Sequence, residues 1–171
     1  TFLNASLCSR CEKMVKIRNS KQLATGPAAS ACLKILEAGL AAIDPDTALR
    51  ELVRVEGGSL RIGALKFDLH RKIVVVGAGK AAGVMASVIE KILGKRITRG
   101  IVIDTVARRL NRIKVLQGDH PVLSPNNVRL THQILSTTRD LSKDDLVICL
   151  ISGGGSALFA DPRIPLAQYQ A

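Results

Sequence analysis

Tryptophan is absent from this chain of 171 residues, tyrosine occurs once (Tyr169) and phenylalanine three times. A core must therefore be built from Val, Ile, Leu and Ala, and the apolar share of 47% is enough for one. No apolar run approaches the ~18 residues of a membrane span, and the opening Thr1–Leu7 is too short for a signal-peptide core. Acidic residues are also scarce, 14 against 25 Lys and Arg, for a net charge of +11. Arg10, Lys13, Lys16, Arg18 and Lys21 against Glu12 put +4 into residues 1–25. Lys95, Arg96, Arg99, Arg108, Arg109, Arg112 and Lys114 against Asp104 put +6 into residues 95–114. Neither cluster has aromatic side chains between its cations on which bases would stack, so no nucleic-acid partner is expected. A solvated rim that attracts small anions is the simpler reading.

Cysteine is sparse as well. Cys8 and Cys11 form a lone C-x-x-C with no second pair or matching histidines for zinc, and no strand and helix about it for a redox motif. Cys32 stands alone, and Cys149, inside an apolar stretch, reads as a small hydrophobe. Such usage suits a reducing compartment, so a cytoplasmic location is expected. A mitochondrial one follows if residues 1–25 are the tail of a transit peptide. The sequon Asn4-Ala5-Ser6 carries little weight without a secretory signal.

Residues 1–26 read as a flexible basic lead-in and 27–171 as one domain. Apolar spacing predicts a helix over 28–43, broken at Asp44-Pro45-Asp46, with Asp46 capping the next helix. Gly57-Gly58 turns a hairpin between Val53–Val55 and Leu60–Ile62. Ile73–Val76, an unbroken β-branched run, predicts a strand buried on both faces. A helix follows to Leu93, with Gly94 as its cap. Residues 100–104 and 113–116 read as strands, the second nearer an edge because it alternates in polarity. Ser124-Pro125-Asn126-Asn127 opens another helix, and Leu146–Ile151 reads as a second fully buried strand. Strands alternating with helices predict an α/β fold: Rossmann-like, three layers α/β/α, around a mostly parallel sheet.

Two glycine corners end the two most apolar strands, where ligands of such sheets sit. The first, Gly77-Ala78-Gly79-Lys80-Ala81-Ala82, admits three readings. It fits the G-x-G-x-x-G/A dinucleotide fingerprint, with Asp104 as the ribose-binding acid. A Walker A loop is excluded, because the spacing is wrong and Ala81 follows the lysine. A tight turn that merely needs glycine is the third. Lys80 favours an anion site, with backbone N–H groups at the helix start aimed at phosphate. The second corner, Ser152-Gly153-Gly154-Gly155-Ser156, reads as a nest of inward N–H groups flanked by two hydroxyl donors. A flexible linker seldom sits directly on a buried strand. A nucleophilic serine lacks the G-x-S-x-G spacing and any evident partner among His70, His120 and His132.

These corners, with Asp119-His120-Pro121-Val122 between them and Asp144-Asp145-Leu146 ahead of the second, resemble the amino-terminal region of the glycerate 2-kinases. These are the MOFRL-containing type, some of which are called hydroxypyruvate reductases. The resemblance runs from about Pro27 to Ala171 and departs in having Asp119 where the family usually has glycine. It implies ATP-dependent, magnesium-assisted (Mg2+) phosphorylation of D-glycerate at its 2-hydroxyl, with Lys80 as the catalytic residue. Gly77, Gly79, Ser152, Gly153, Gly154, Gly155, Ser156 and His120 would bind substrate or phosphate. Asp104 and Asp119 are candidate magnesium or base residues, though an acid at such a place is commonly a cap. No metal ligand is assigned. The resemblance also implies that family members continue into the rest of this domain and a separate MOFRL domain, so the chain would be a truncated, inactive part. The alternatives are an NAD(P)H-dependent hydroxypyruvate reductase and a non-catalytic fragment that binds a nucleotide or another anion.

Overall fold

The computed structural model describes residues 17–69 and 71–170. Cys8, Cys11, the sequon at Asn4 and most of the first basic cluster lie outside the described residues, as does His70. The chain divides into two units, residues 1–44 and 45–171. In the first, α1 (Ser20–Leu23) is a single turn inside the expected lead-in. It is followed by α2 (Pro27–Ala42), started by Pro27 at its first position, where a missing N–H does no harm.

The second unit opens with α3 (Pro45–Leu52). Asp46 lies inside its first turn and pairs with Arg50 at 2.8 Å, so it is a helical i,i+4 partner rather than the expected cap. Strands β1 (Val53–Glu56), β2 (Ser59–Ile62) and β3 (Leu65–Asp68) form an antiparallel sheet in that order. The hairpin at Gly57-Gly58 is as expected. β3 carries no strand signal in the sequence, because Leu65 and Phe67 are the only apolar residues in its four.

The main sheet comprises β4 (Ile73–Ala78), β5 (Ile97–Asp104), β6 (Ile113–Gln117) and β7 (Leu146–Ile151). All its pairs are parallel, in the order β6-β5-β4-β7. Helix α4 (Ala82–Leu93) leads from β4, with Gly94 (φ +53°) ending it as expected. Its Ala82, Ala86, Ile89 and Leu93 are buried against Val75, Val102 and Ile148 on one face, where the small sheet's Val53 and Leu60 join the same core. Helix α5 (Pro125–Thr137) sets Leu130 and Ile134 against Val74, Val76, Ala78 and Ile103 on the other face. The alternation of β4, odd residues to α4 and even to α5, puts a helix on each side, so the expected α/β/α layering holds. Short turns α6 (Gly155–Leu158) and α7 (Leu166–Tyr169) finish the unit.

One strand departs from expectation. β7 is an edge strand, and only Ile148 and Leu150 of its six residues are buried. Val147, Cys149 and Ile151 are exposed, so Cys149 is no core residue. Continuous apolar sequence signalled two covered faces, but among the described residues the core beneath α5 takes its strand side chains from β4, β5 and β6 and none from β7. No helix of the described residues is long and apolar enough to cross a membrane.

Candidate functional site

Both glycine corners lie at the carboxyl edge of the parallel sheet, next to each other, because β4 and β7 are direct neighbours with Ala78 opposite Ile151. The strand β4 runs further than its apolar run suggested, through Gly77 and Ala78. Gly77 is therefore a strand residue: a Cβ there would stand 2.3 Å from the Leu150 carbonyl oxygen. Gly79, at φ +136°, has Ser152 pressed against it, with Ser152 Oγ 2.2 Å from where a Cβ would be. Both glycines permit close backbone approach.

The backbone N–H groups of this first corner do not face open space. Gly79 N–H donates to Ile103 O (3.1 Å), Lys80 N–H to Gly153 O (2.9 Å) and Ala82 N–H to Gly79 O (3.1 Å). Ala81 N–H donates to Ser152 Oγ at 3.0 Å, and Gly83 N–H to Asp104 Oδ2 at 2.8 Å. Asp104 is 1% exposed and also accepts from Val106 N–H at 3.3 Å. The anion at the start of α4 is thus the protein's own carboxylate. These N–H groups are therefore not open to a phosphate as the expected nest required, and Asp104 serves here as the acceptor for its own chain's N–H groups. The corner offers the exposed side chain of Lys80, which makes no ion pair among the described residues.

The second corner is different. The N–H groups of Gly153, Gly154, Ser156 and Ala157 have no hydrogen-bond partner among the described residues. Gly154 sits at φ +85°, and a Cβ on it would lie 3.1 Å from His120 Nε2 and 3.2 Å from Lys80 Cγ. Gly154 is where the three separate motifs meet. Ser152 and Gly155 line a cleft of about 390 Å³ with the exposed Ser156, beside Ile151 and Phe159.

The turn bearing His120 is held by a residue that sequence reading passed over. Asn127 is fully buried; its Oδ1 accepts from Asp119 N–H, and its Nδ2 donates to Asp119 O and to Ala157 O, each at 2.7 Å. One amide thereby ties the His120 turn to the triple-glycine corner. The signal available was only its place in the first turn of a capped helix, where Ser124 accepts from Asn127 N–H at 3.3 Å. Asp119 is likewise committed, taking Ser124 Oγ–H at 2.5 Å and Asn126 Nδ2 at 3.4 Å, so its carboxylate braces a turn. His132 pairs with Asp161 at 2.9 Å. Asn127→Asp is expected to cost about 3 kcal/mol at neutral pH, since a carboxylate would face two carbonyl oxygens. That loss should shrink on acidification, as the protonated acid regains a donor. Urea unfolding across pH reads it, and an unchanged midpoint at neutral pH would remove the clamp.

Comparison with known proteins accords with this geometry. A family model described as "Domain of unknown function (DUF4147)" matches residues 31–171. The chain belongs to the DUF4147 family. A curated relative named "Glycerate 2-kinase", from Pyrococcus horikoshii, is 32% identical over 131 residues, covering 77% of this chain and 30% of the relative. A "Putative hydroxypyruvate reductase" from Agrobacterium vitis is 38% identical over 93 residues, 53% of this chain and 24% of the relative. The crystal structure of a glycerate kinase from Thermotoga maritima superimposes with a TM-score of 0.69 at 27% identity, covering 84% of this chain and 34% of that one. The chain thus spans about a third or less of the length of these relatives.

The magnesium expected from the resemblance can be tested against the side chains described. No three His, Cys, Asp or Glu side chains among the described residues converge on one point. The two acids nearest the glycine corners, Asp104 and Asp119, already accept hydrogen bonds from their own turns. The described residues by themselves do not form a magnesium seat.

Proposed function

We propose that this segment supplies one wall of the active site of an ATP-dependent D-glycerate 2-kinase. Relatives bearing that name lend the substrate and the reaction; the convergence of Lys80, His120 and the open N–H groups at Gly154 carries the reading for this chain. In it, the 2-hydroxyl oxygen of D-glycerate bonds to the terminal phosphorus of ATP as the bond from that phosphorus to the bridging oxygen breaks. ADP leaves with the electron pair of that bond, and the hydroxyl proton passes to solvent. Such transfer depends on positioning and charge neutralisation more than on covalent participation. Lys80 balances charge on the transferring group or on the glycerate carboxylate, the 153–157 corner donates N–H bonds to the other anion, and His120 orients substrate between them. The remaining site residues would come from the part of the relatives' length that this chain does not span.

The reductase reading meets a specific obstacle. A dinucleotide pyrophosphate rests on the N–H groups at the helix start after the first strand, and here Ser152 and Asp104 hold those groups. Assays of the intact protein separate the two. ATP-dependent formation of 2-phosphoglycerate is expected, with no direct loss of nicotinamide absorbance on hydroxypyruvate. NAD(P)H oxidation in the absence of coupling enzymes would reverse the assignment.

A further inference from the structure

A second cleft, of about 490 Å³, lies at the far end of α4, lined by Ser87, Glu90, Lys91, Lys95, Arg109 and Arg112 among others. Its lining on α4 runs from Ser87 to Lys91, five to nine residues beyond the start of the helix at Ala82, about 8–14 Å at the rise of an α-helix. Four of the six named residues are cations, and none of them makes an ion pair among the described residues. Glu90, the one acid named, is fully used. Its Oε1 accepts from Asn111 N–H (2.8 Å), and its Oε2 from the N–H groups of Arg112 (2.8 Å) and Ile113 (3.0 Å).

The end of a helix favours cations, which accounts for Lys91 and Lys95. It does not account for Arg109 and Arg112, which come from the loop before β6. Glu90 fastens that loop to α4 through three backbone bonds, so both arginines are carried to the cleft that the lysines already line. Glu90 offsets one of the four positive charges, and the three left over repel one another about the concavity unless a further anion lies among them. Guanidinium forks match phosphate oxygens in pairs, and ammonium groups add point charge. We propose that this cleft binds a condensed phosphate, two or more linked phosphoryl groups, at a site separate from the glycine corners. The proposal does not rest on the kinase reading.

Isothermal titration of the 171-residue chain with inorganic tripolyphosphate, at physiological salt, tests it. Saturable binding is expected in the parent chain. It should weaken at least tenfold in the double variant Arg109→Gln, Arg112→Gln, and stay within twofold in Lys80→Ala. A matched pair, Arg139→Gln with Lys143→Gln, removes the same charge from the exposed turn after α5 and should leave binding unchanged. Absence of saturable binding in the parent overturns the proposal. So does an equal loss in the matched pair, which would mean attraction to net charge alone. Loss in Lys80→Ala would move the ligand to the glycine corners and overturn it too. Unchanged far-UV circular dichroism checks that the glutamine variants fold, and Lys91→Gln with Lys95→Gln, predicted to weaken binding similarly, repeats the test from the helix side.

Discussion

Lys80→Met in the intact protein is expected to lower kcat for glycerate phosphorylation by about 10²–10³-fold, the scale seen when a preorganised charge at a transition state is removed. Methionine is chosen because it keeps an unbranched stem where Lys80 Cγ lies beside Gly154. Packing at the corner is thereby retained while the ammonium group is lost. Lys80 N–H is a backbone group donating to Gly153 O, so the substitution leaves the tie between the corners in place. The thermal midpoint should accordingly stay near the parent's while turnover collapses. If the charge acts on the transferring phosphoryl group, kcat falls more than KM rises; if it grips the glycerate carboxylate in the ground state, KM for glycerate carries most of the loss. Near-parent kcat and KM together would remove Lys80 from the reaction.

Gly77→Ala should be among the most damaging single methyl groups in the described chain. Its Cβ would stand 2.3 Å from Leu150 O, 2.8 Å from Leu150 Cβ and 3.0 Å from Leu150 C, two of them backbone atoms. β4 cannot step aside, because β5 holds it on one flank and β7 on the other. Relief requires β7 to slide or peel away, and with it the Ser152 hydroxyl that caps Ala81 N–H. A loss above ~4 kcal/mol is expected, enough to unfold a domain of ordinary stability. Soluble yield and urea unfolding followed by far-UV circular dichroism measure it. A variant within ~1 kcal/mol of the parent would show that the two strands part cheaply, contrary to the close pairing described.

Most of the architecture was legible from local pattern. Ile73–Val76 announces its strand because four β-branched side chains leave no polar face. Ser124-Pro125 announces α5 because a hydroxyl cap and a proline at the first position are start signals in themselves. β3 escaped because two apolar residues in four make no period. β7 misleads for a different reason: apolar side chains record that a face is made to be covered, and not whether another element covers it. Cys149 and Ile151 are the result.

The site divides along the same line. Sequence by itself determined that two strands end in glycine, that a lysine follows the first corner, and that a histidine turn lies between the corners in the chain, since these are properties of neighbouring residues. Tertiary structure decided which N–H groups are open. Ser152 reaches Ala81 across 71 positions and Asp104 reaches Gly83 across 21, closing the first corner. Asn127 joins Ala157 across 30 positions and holds His120's turn against the second, which remains open. Hydrogen bonds between residues so far apart depend on strand order, and strand order is a property of the folded sheet that no local run of residues carries.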